Sequence, residues 1–287
     1  MNIAVFVDHH FDSLGGIQTS VRSQCQELVR LGHQVTVICP RSRHARNSNS
    51  VNALGIRFVE LRSPLSINGY EFVYPFAVYK RRILRELGRG SAIDVVHAHT
   101  NLGVGVLAFQ IAKELDLPLV QSFHGREDVI AEKSTRFPRL ITGLVNILHA
   151  CYVPHRRQPS HAGTMTARNA WSVMLAQSEA ADHVTTPSHH FLKTCRDHGL
   201  TTSASVVSNA LPDGIMDLPI KRAHTGLADP PRIIWVGRLW SEKSPELLLG
   251  AAELLPQYSF VMLGNGPLES SIRHTLQSKK IKNLALE

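Results

Sequence analysis

Short, nearly continuous apolar runs recur along this chain of 287 residues, each followed by a stretch with helical spacing, and that alternation restricts the fold more than any other feature. A strand buried on both faces has no polar side to alternate with, so it reads as an unbroken apolar run. The runs at residues 3–7, 35–39, 56–61, 93–97, 119–123, 183–186 and 205–207 predict seven such strands. Between the first two, Ile17, Val21, Cys25 and Leu28 recur at spacings of three and four, giving one apolar helical face that ends at Gly32. That is one β-α-β unit. A second long helix opens near Leu102, runs through Val106 and Ile111 to Leu115, and closes before Leu117-Pro118. This order of elements predicts an α/β fold with a doubly wound sheet.

A chain of this length divides more readily into two domains than one. Residues 1–211 are the predicted N-terminal Rossmann-like domain, the acceptor side, with an insertion at about 126–170. From Gly125 to Ala170 seven basic side chains stand against three acidic ones, and Ile141, Leu144, Val145, Ile147 and Leu148 mix with polar residues, which predicts helices. Residues 212–231, from Pro212-Asp213-Gly214 through Pro230-Pro231, are rich in turn formers and read as a linker. Residues 232–287 begin a second unit: a strand over 232–236, a helix over 245–255, a strand over 260–263 and a helix after Pro267. Two strands and the start of a third are too few for a doubly wound domain. The second domain is therefore expected to be incomplete, as in a chain cut short.

Hydrophobic content of 43% with 19% charged residues is that of a packed soluble protein. The net charge of +8 attracts anions, whether nucleic acid, anionic lipid or phosphorylated small molecules. No helix-turn-helix, zinc or RNP signature is present, which argues against nucleic acid. The four cysteines are scattered without a C-x-x-C pair, against a zinc site or a disulfide scaffold and in keeping with a cytoplasmic protein. The N-terminus runs straight into a strand with no leader, and the longest apolar stretch, Gly103 to Ala112, is far short of the roughly 20 residues that cross a bilayer. Membrane contact is expected to be peripheral, at the cytoplasmic face.

Three strand-to-helix turns carry the chemistry. In Leu14-Gly15-Gly16-Ile17 two glycines lead directly into a helix start, where backbone N–H groups receive a phosphate; a tight turn chosen for geometry is the alternative. Val236-Gly237-Arg238-Leu239 is trailed by Glu242-Lys243, so a strand end carries two cations five positions apart, able to neutralise a diphosphate or merely to sit in solvent. Leu263-Gly264-Asn265-Gly266-Pro267 repeats the glycine turn one unit later. The first turn lacks the Gly-x-Gly-x-x-Gly of nicotinamide-dependent oxidoreductases.

These segments, with Ser122-Phe123-His124-Gly125, Ala181-Asp182-His183-Val184 and Pro187-Ser188, resemble in order the motif series of family 4 glycosyltransferases. The resemblance covers essentially the whole chain, and its most specific part is the Gly-Arg-x-x-x-x-Lys segment. It implies a GT-B fold of two Rossmann-like domains and a metal-independent hexosyltransferase that retains anomeric configuration. The donor is a nucleotide sugar, GDP-mannose (a mannosyltransferase) or UDP-glucose, the acceptor a lipid or glycan, with no cofactor. By the same resemblance Arg238 and Lys243 stabilise the departing diphosphate, Gly15, Gly16, Gly264 and Gly266 present N–H groups to phosphate, and His124 sits by the transferred sugar. Asn209 falls where the family has an Asn-Gly turn, here with Ala210 in place of the glycine.

His97 and His99 alternate on a strand and share one side. Two metal ligands have that spacing, but no third is placed near them, so they are assigned to the acceptor pocket, with a polar strand end as the alternative. Basic residues gather at Arg41, Arg43 and Arg46 and again at Lys80, Arg81, Arg82, Arg85 and Arg89, the latter beside Phe72, Tyr74, Phe76 and Val78. Such a mixture suits an anionic membrane surface, and equally a core helix with a solvated face. The family's two donor-holding glutamates, seven positions apart, have no counterpart, since Glu246 and Glu253 lie on an earlier helix. The chain is accordingly expected to be weakly active or inactive, and a non-catalytic relative that binds a nucleotide sugar or a partner chain is the rival.

Overall fold

The computed structural model of the chain describes residues 1–13, 15–41, 55–63, 65–67, 70–210 and 231–287. Leu14, Arg43, Arg46 and positions 212–230 of the linker fall outside them. The chain divides into two compact units, one of Met1–Asp128 with Arg139–Asp217 and one of Val129–Pro138 with Leu218–Glu287.

The first unit is built on a parallel sheet of seven strands, β1 (Asn2–Phe6), β2 (Gln34–Pro40), β3 (Arg57–Leu61), β6 (Val95–Ala98), β7 (Leu119–Ser122), β8 (His183–Thr186) and β9 (Ala204–Val206). Their order is β3-β2-β1-β6-β7-β8-β9. Val5 lies opposite Val37 on one side and His97 on the other. Ile3, Val5 and Val7 pack with Val21 and Cys25 of α1 (Gly16–Arg30). Ala4 and Phe6 point the opposite way, into a core with Ile83 of α2 (Ala77–Leu87) and Leu107 and Ile111 of α3 (Gly103–Leu115). Both faces of β1 are covered, which is why its apolar run is unbroken.

α3 begins at a glycine because nothing larger fits. A Cβ on Gly103 would lie 1.8 Å from the Val73 carbonyl oxygen. Gly103→Ala is expected to cost about 1–3 kcal/mol, the usual range for overpacking a tight site. A urea midpoint equal to that of the unmutated chain would show that the two backbones can separate freely.

Two short strands absent from the sequence expectation, β4 (Leu65–Ile67) and β5 (Tyr70–Phe72), form an antiparallel hairpin; three-residue strands leave no readable alternation. The predicted insertion holds α4 (Glu127–Ser134), α5 (Pro138–Ala150) and the start of α6 (Met165–Glu179), whose first turn is capped by Thr164 accepting the Ala167 N–H at 3.1 Å. α7 (His189–Asp197) is capped likewise, with Ser188 accepting from Phe191 at 3.2 Å. Three of the cysteines, Cys25, Cys39 and Cys195, are buried and free, with burial pushing each thiol up to about 12. Cys151, one residue past α5, is exposed.

In the second unit β10 (Arg232–Val236), β11 (Ser259–Leu263) and β12 (Leu284–Leu286) form a parallel sheet in that order. Leu249 of α8 (Glu246–Leu254) and Ile272 of α9 (Glu269–Ser278) close over Phe260, Met262 and Leu284. Ile234 and Val236 of β10 are exposed. Residues of the insertion cluster here as well: Ser241 Oγ donates to the Lys133 carbonyl at 2.8 Å, and Lys133 Nζ donates to Ser244 Oγ at 3.1 Å. Among the described residues no helix is long and apolar enough to cross a membrane.

Candidate functional site

The strand order reverses between β1 and β6: the chain leaves β1 to build outward on one side and β6 on the other. α1 and α3 consequently pack on opposite faces, and doubly wound sheets take their ligands at the carboxyl ends of the strands where the order reverses. Asp8 and His9 follow β1, His99 and Thr100 follow β6, and His124 follows β7 next door.

The sheet brings together three histidines that the sequence scatters. His97 Nε2 lies 2.7 Å from Ser122 Oγ, which meets Thr185 Oγ1 at 2.6 Å. His99 Nδ1 lies 2.9 Å from His124 Nε2, with the two rings stacked at 5.2 Å, and His97 and His99 are 4.1 Å apart. Burial holds His97 and His124 down to about 4 and His99 well below its usual value, each aided by a neighbouring histidine. All three are neutral at pH 7. His99 Nε2 is buried without a partner among the described residues. An orphaned lone pair costs less than an orphaned N–H, so His99 carries its proton on Nδ1 and donates it to His124 Nε2. His124 then carries its own proton on Nδ1 and presents a donor, held in place by a neighbour the sequence could not pair with it.

Asp8 was not legible either. Its carboxylate accepts the Val104 N–H at 2.6 Å, fastening the first turn of α3 to the end of β1, while burial raises its pKa. Gly15 and Gly16 stand at the opposite helix: Gly15 is extended, and no side chain caps α1 and no acid lies in its first turn. Gly16 faces open space, whereas a Cβ on Gly15 would strike the Gln18 side chain at 2.2 Å. Asn209, past β9, accepts from Ser20 Oγ of α1 at 3.0 Å.

In the second unit Arg238 follows β10, and Lys243 ends a 3₁₀ turn, Ser241–Lys243. Arg238 Nη2 meets Glu242 Oε1 at 3.1 Å, and the guanidinium lies 5.7 Å from the Trp240 ring. Lys243 is exposed. Gly264 and Gly266 follow β11 with φ of +150° and +157°, and a Cβ on Gly264 would fall 1.9 Å from the Gly237 carbonyl oxygen. Leu239 N–H donates to the Asn265 carbonyl at 2.8 Å, and Leu268 N–H returns to the Leu239 carbonyl at 3.1 Å. The glycine turn thus lies directly against the Arg238 loop, and backbone contact alone demands glycine at 264.

The first unit also holds an apolar cavity of about 60 Å³ beside α3 and α5, lined by Tyr74, Pro75, Leu102, Gly103, Val106, Val145, Leu148, His149 and Tyr152. None of the residues singled out from the sequence as site residues lines it. His97 and His99, assigned to an acceptor pocket, are buried and turned toward Ser122 and His124. Among the described residues no group of three or more His, Cys, Asp or Glu is placed to hold a metal ion.

The chain resembles the alpha-monoglucosyldiacylglycerol synthase of Acholeplasma laidlawii, 24% identical over 291 residues that cover 98% of this chain and 67% of that protein. It is also similar to the sulfoquinovosyl transferase of Arabidopsis thaliana, 24% identical over 284 residues, 94% of this chain and 48% of that one. Among solved structures, sucrose-phosphate synthase from Thermosynechococcus elongatus superposes with a TM-score of 0.64 at 13% identity, covering 100% of this chain and 69% of the other, which places the fold with the GT-B glycosyltransferases. The family described as Glycosyltransferase Family 4 matches residues 14–213, from the Gly15-Gly16 turn through the last strand of the seven-stranded sheet to Asn209, and this chain belongs to it.

Proposed function

We propose that this chain carries the acceptor-side domain and the diphosphate-binding turns of a retaining, metal-independent hexosyltransferase that moves glucose or mannose from UDP-glucose or GDP-mannose to a lipid acceptor. The observation that carries this reading is the Arg238–Glu242 pair set against the Gly264-Asn265-Gly266 turn. A guanidinium held by a carboxylate is fixed in orientation, and Lys243 adds a second, exposed cation close by in sequence. Fixed cations where negative charge develops are the main device for expelling a diphosphate. The lipid acceptor is favoured by the name of one relative, an alpha-monoglucosyldiacylglycerol synthase.

In the transfer the bond from the anomeric carbon to the diphosphate oxygen breaks, and a bond to the acceptor oxygen forms on the same face. The acceptor's proton leaves on the departing phosphate. Arg238 and Lys243 of the second unit take the diphosphate charge. No cofactor enters. The enzyme works at the cytoplasmic face of a membrane, where its lipid acceptor lies.

Titration calorimetry with UDP, GDP, UDP-glucose and GDP-mannose tests this. One nucleotide is expected to bind together with its sugar conjugate, and that conjugate to support transfer to diacylglycerol or a glycolipid in mixed micelles. Binding without transfer to any lipid or glycan acceptor would leave a non-catalytic relative. No binding by a chain shown to be folded would overturn the reading.

A further inference from the structure

α5 is inside out. Its inward side is polar: Thr142 is buried against Asn169, whose Nδ2 donates to Thr142 Oγ1 at 3.4 Å, and His149 is buried with Nε2 3.2 Å from Gln177 Oε1 and Nδ1 2.8 Å from His155. Its outward side is apolar: Leu140, Leu144 and Ile147 are 72, 57 and 66% exposed, with Ile141 and Leu148 beside them. Positions i, i+1, i+4, i+7 and i+8 make one stripe along the helix. A surface helix in water puts that stripe against the protein; this one puts it against whatever surrounds the protein.

The charge around the helix says what that is. From Arg139 to Ser178 the chain carries four arginines and no acidic residue. Arg139 lies in the first turn of α5 and the exposed Arg156 follows its end, so a cation stands on either side of the apolar stripe in the chain, while Arg157 is held by Glu179 at 2.7 Å. The apolar surface continues past the helix. Tyr152 meets Tyr74 at 5.9 Å, Tyr74 meets Phe76 at 4.6 Å, and the half-exposed Phe76 leads to α2, whose outward side bears Arg81, Arg82 and Arg85. An apolar stripe framed by cations, on a helix too short to span a bilayer, fits a helix lying in the plane of the lipid headgroups.

We infer that α5 is an interfacial helix that lays Leu140, Leu144 and Ile147 into the surface of an anionic bilayer while the arginines around it take the lipid phosphates. The sequence pointed to the basic stretch at Lys80–Arg89 for membrane contact; the structure gives the apolar contact to α5 and leaves α2 an electrostatic share. The inference stands apart from the choice of donor and acceptor, since docking is read without turnover. It also gives the cavity beside Val145 and Leu148 a place directly behind the lipid-facing stripe.

The test is co-sedimentation of the purified chain with vesicles of phosphatidylcholine alone and of phosphatidylcholine with phosphatidylglycerol. The unmutated chain is expected to bind the anionic vesicles at least about tenfold more tightly, and to lose that preference as salt rises. Leu144→Glu/Ile147→Glu, both at exposed positions, is expected to keep its thermal midpoint and circular dichroism and to lose at least about tenfold in vesicle binding. Arg156→Ser/Arg139→Ser is expected to lose the anionic preference and keep residual binding. Absence of vesicle binding, equal binding to neutral and anionic vesicles, or full binding by the double glutamate variant would overturn the inference. So would a dimer in sedimentation equilibrium that the double glutamate variant converts to a monomer without change in vesicle binding, because the stripe would then pair two copies. In each of these cases transfer to a micellar acceptor remains measurable, so the proposed activity is judged separately.

Discussion

Arg238→Ala is expected to lower turnover by about 100- to 1,000-fold, the range seen when one fixed charge-stabilising group is removed from an active site. The loss should fall mainly on kcat, since the diphosphate gains charge as the sugar departs. Two variants separate the roles within the pair. Arg238→Lys keeps the charge and discards the fork, and is expected to recover only part of the loss. Glu242→Gln keeps the guanidinium and removes its tether; it should cost about tenfold, with most of the effect on orientation. Glu242 is 15% exposed and its Oε2 has no partner among the described residues, so Arg238→Ala also leaves a largely buried carboxylate without its cation. A melting curve run beside the kinetics shows how much of the loss is stability. Unchanged kcat in a folded Arg238→Ala chain would remove the diphosphate assignment.

Acidification is expected to destabilise the first unit between pH 6.5 and pH 4. His97, His124 and His149 each fall from 6.5 to about 4, burial being the first cause, and burial also lowers His99 well below 6.5. A histidine with a depressed folded pKa leaves the unfolded chain binding more protons in that window. Stability is therefore full above 6.5 and lost as the pH drops toward 4. One such group shifts the balance by roughly 3 kcal/mol, against a total stability of roughly 5–15 kcal/mol. Asp8 and Glu127 oppose the trend: burial raises both, Glu127 to about 7, so the folded state takes up protons there as the pH falls. Four histidines outweigh two carboxylates, and the net slope is loss of stability with acid. Far-ultraviolet circular dichroism through a pH titration, with urea midpoints at pH 7.5 and pH 5, measures it. His97→Gln should flatten the slope, and a midpoint that does not move between those two pH values would show the histidine cluster to be open to water.

The parts of this fold that were readable from sequence are those in which burial on both faces leaves a simple signature. β1 is an apolar run because α1 and α3 cover its two sides, and α1 shows its stripe because its far side is solvated. Contacts across the sheet were not readable. His99 and His124 are 25 positions apart, and only the adjacency of β6 and β7 makes them partners. Arg238 and Glu242 share a four-residue spacing that was plain in the sequence, yet the loop that turns one toward the other was not. α5 shows a further limit. Periodicity tells which residues share a face and says nothing about which way that face points, so Leu144 and Ile147 predicted a helix without showing that they stand in the open.

The position of the cysteines turns this arrangement into an instrument. Cys25, Cys39 and Cys195 are buried with thiols held protonated, so they are slow toward maleimides, whereas Cys151 is exposed one residue beyond α5. The chain therefore takes a polarity-sensitive fluorophore or a nitroxide at one native position without any substitution. A label there reports, in real time and on the unmutated chain, whether the end of α5 passes from water into lipid and how deep it comes to rest.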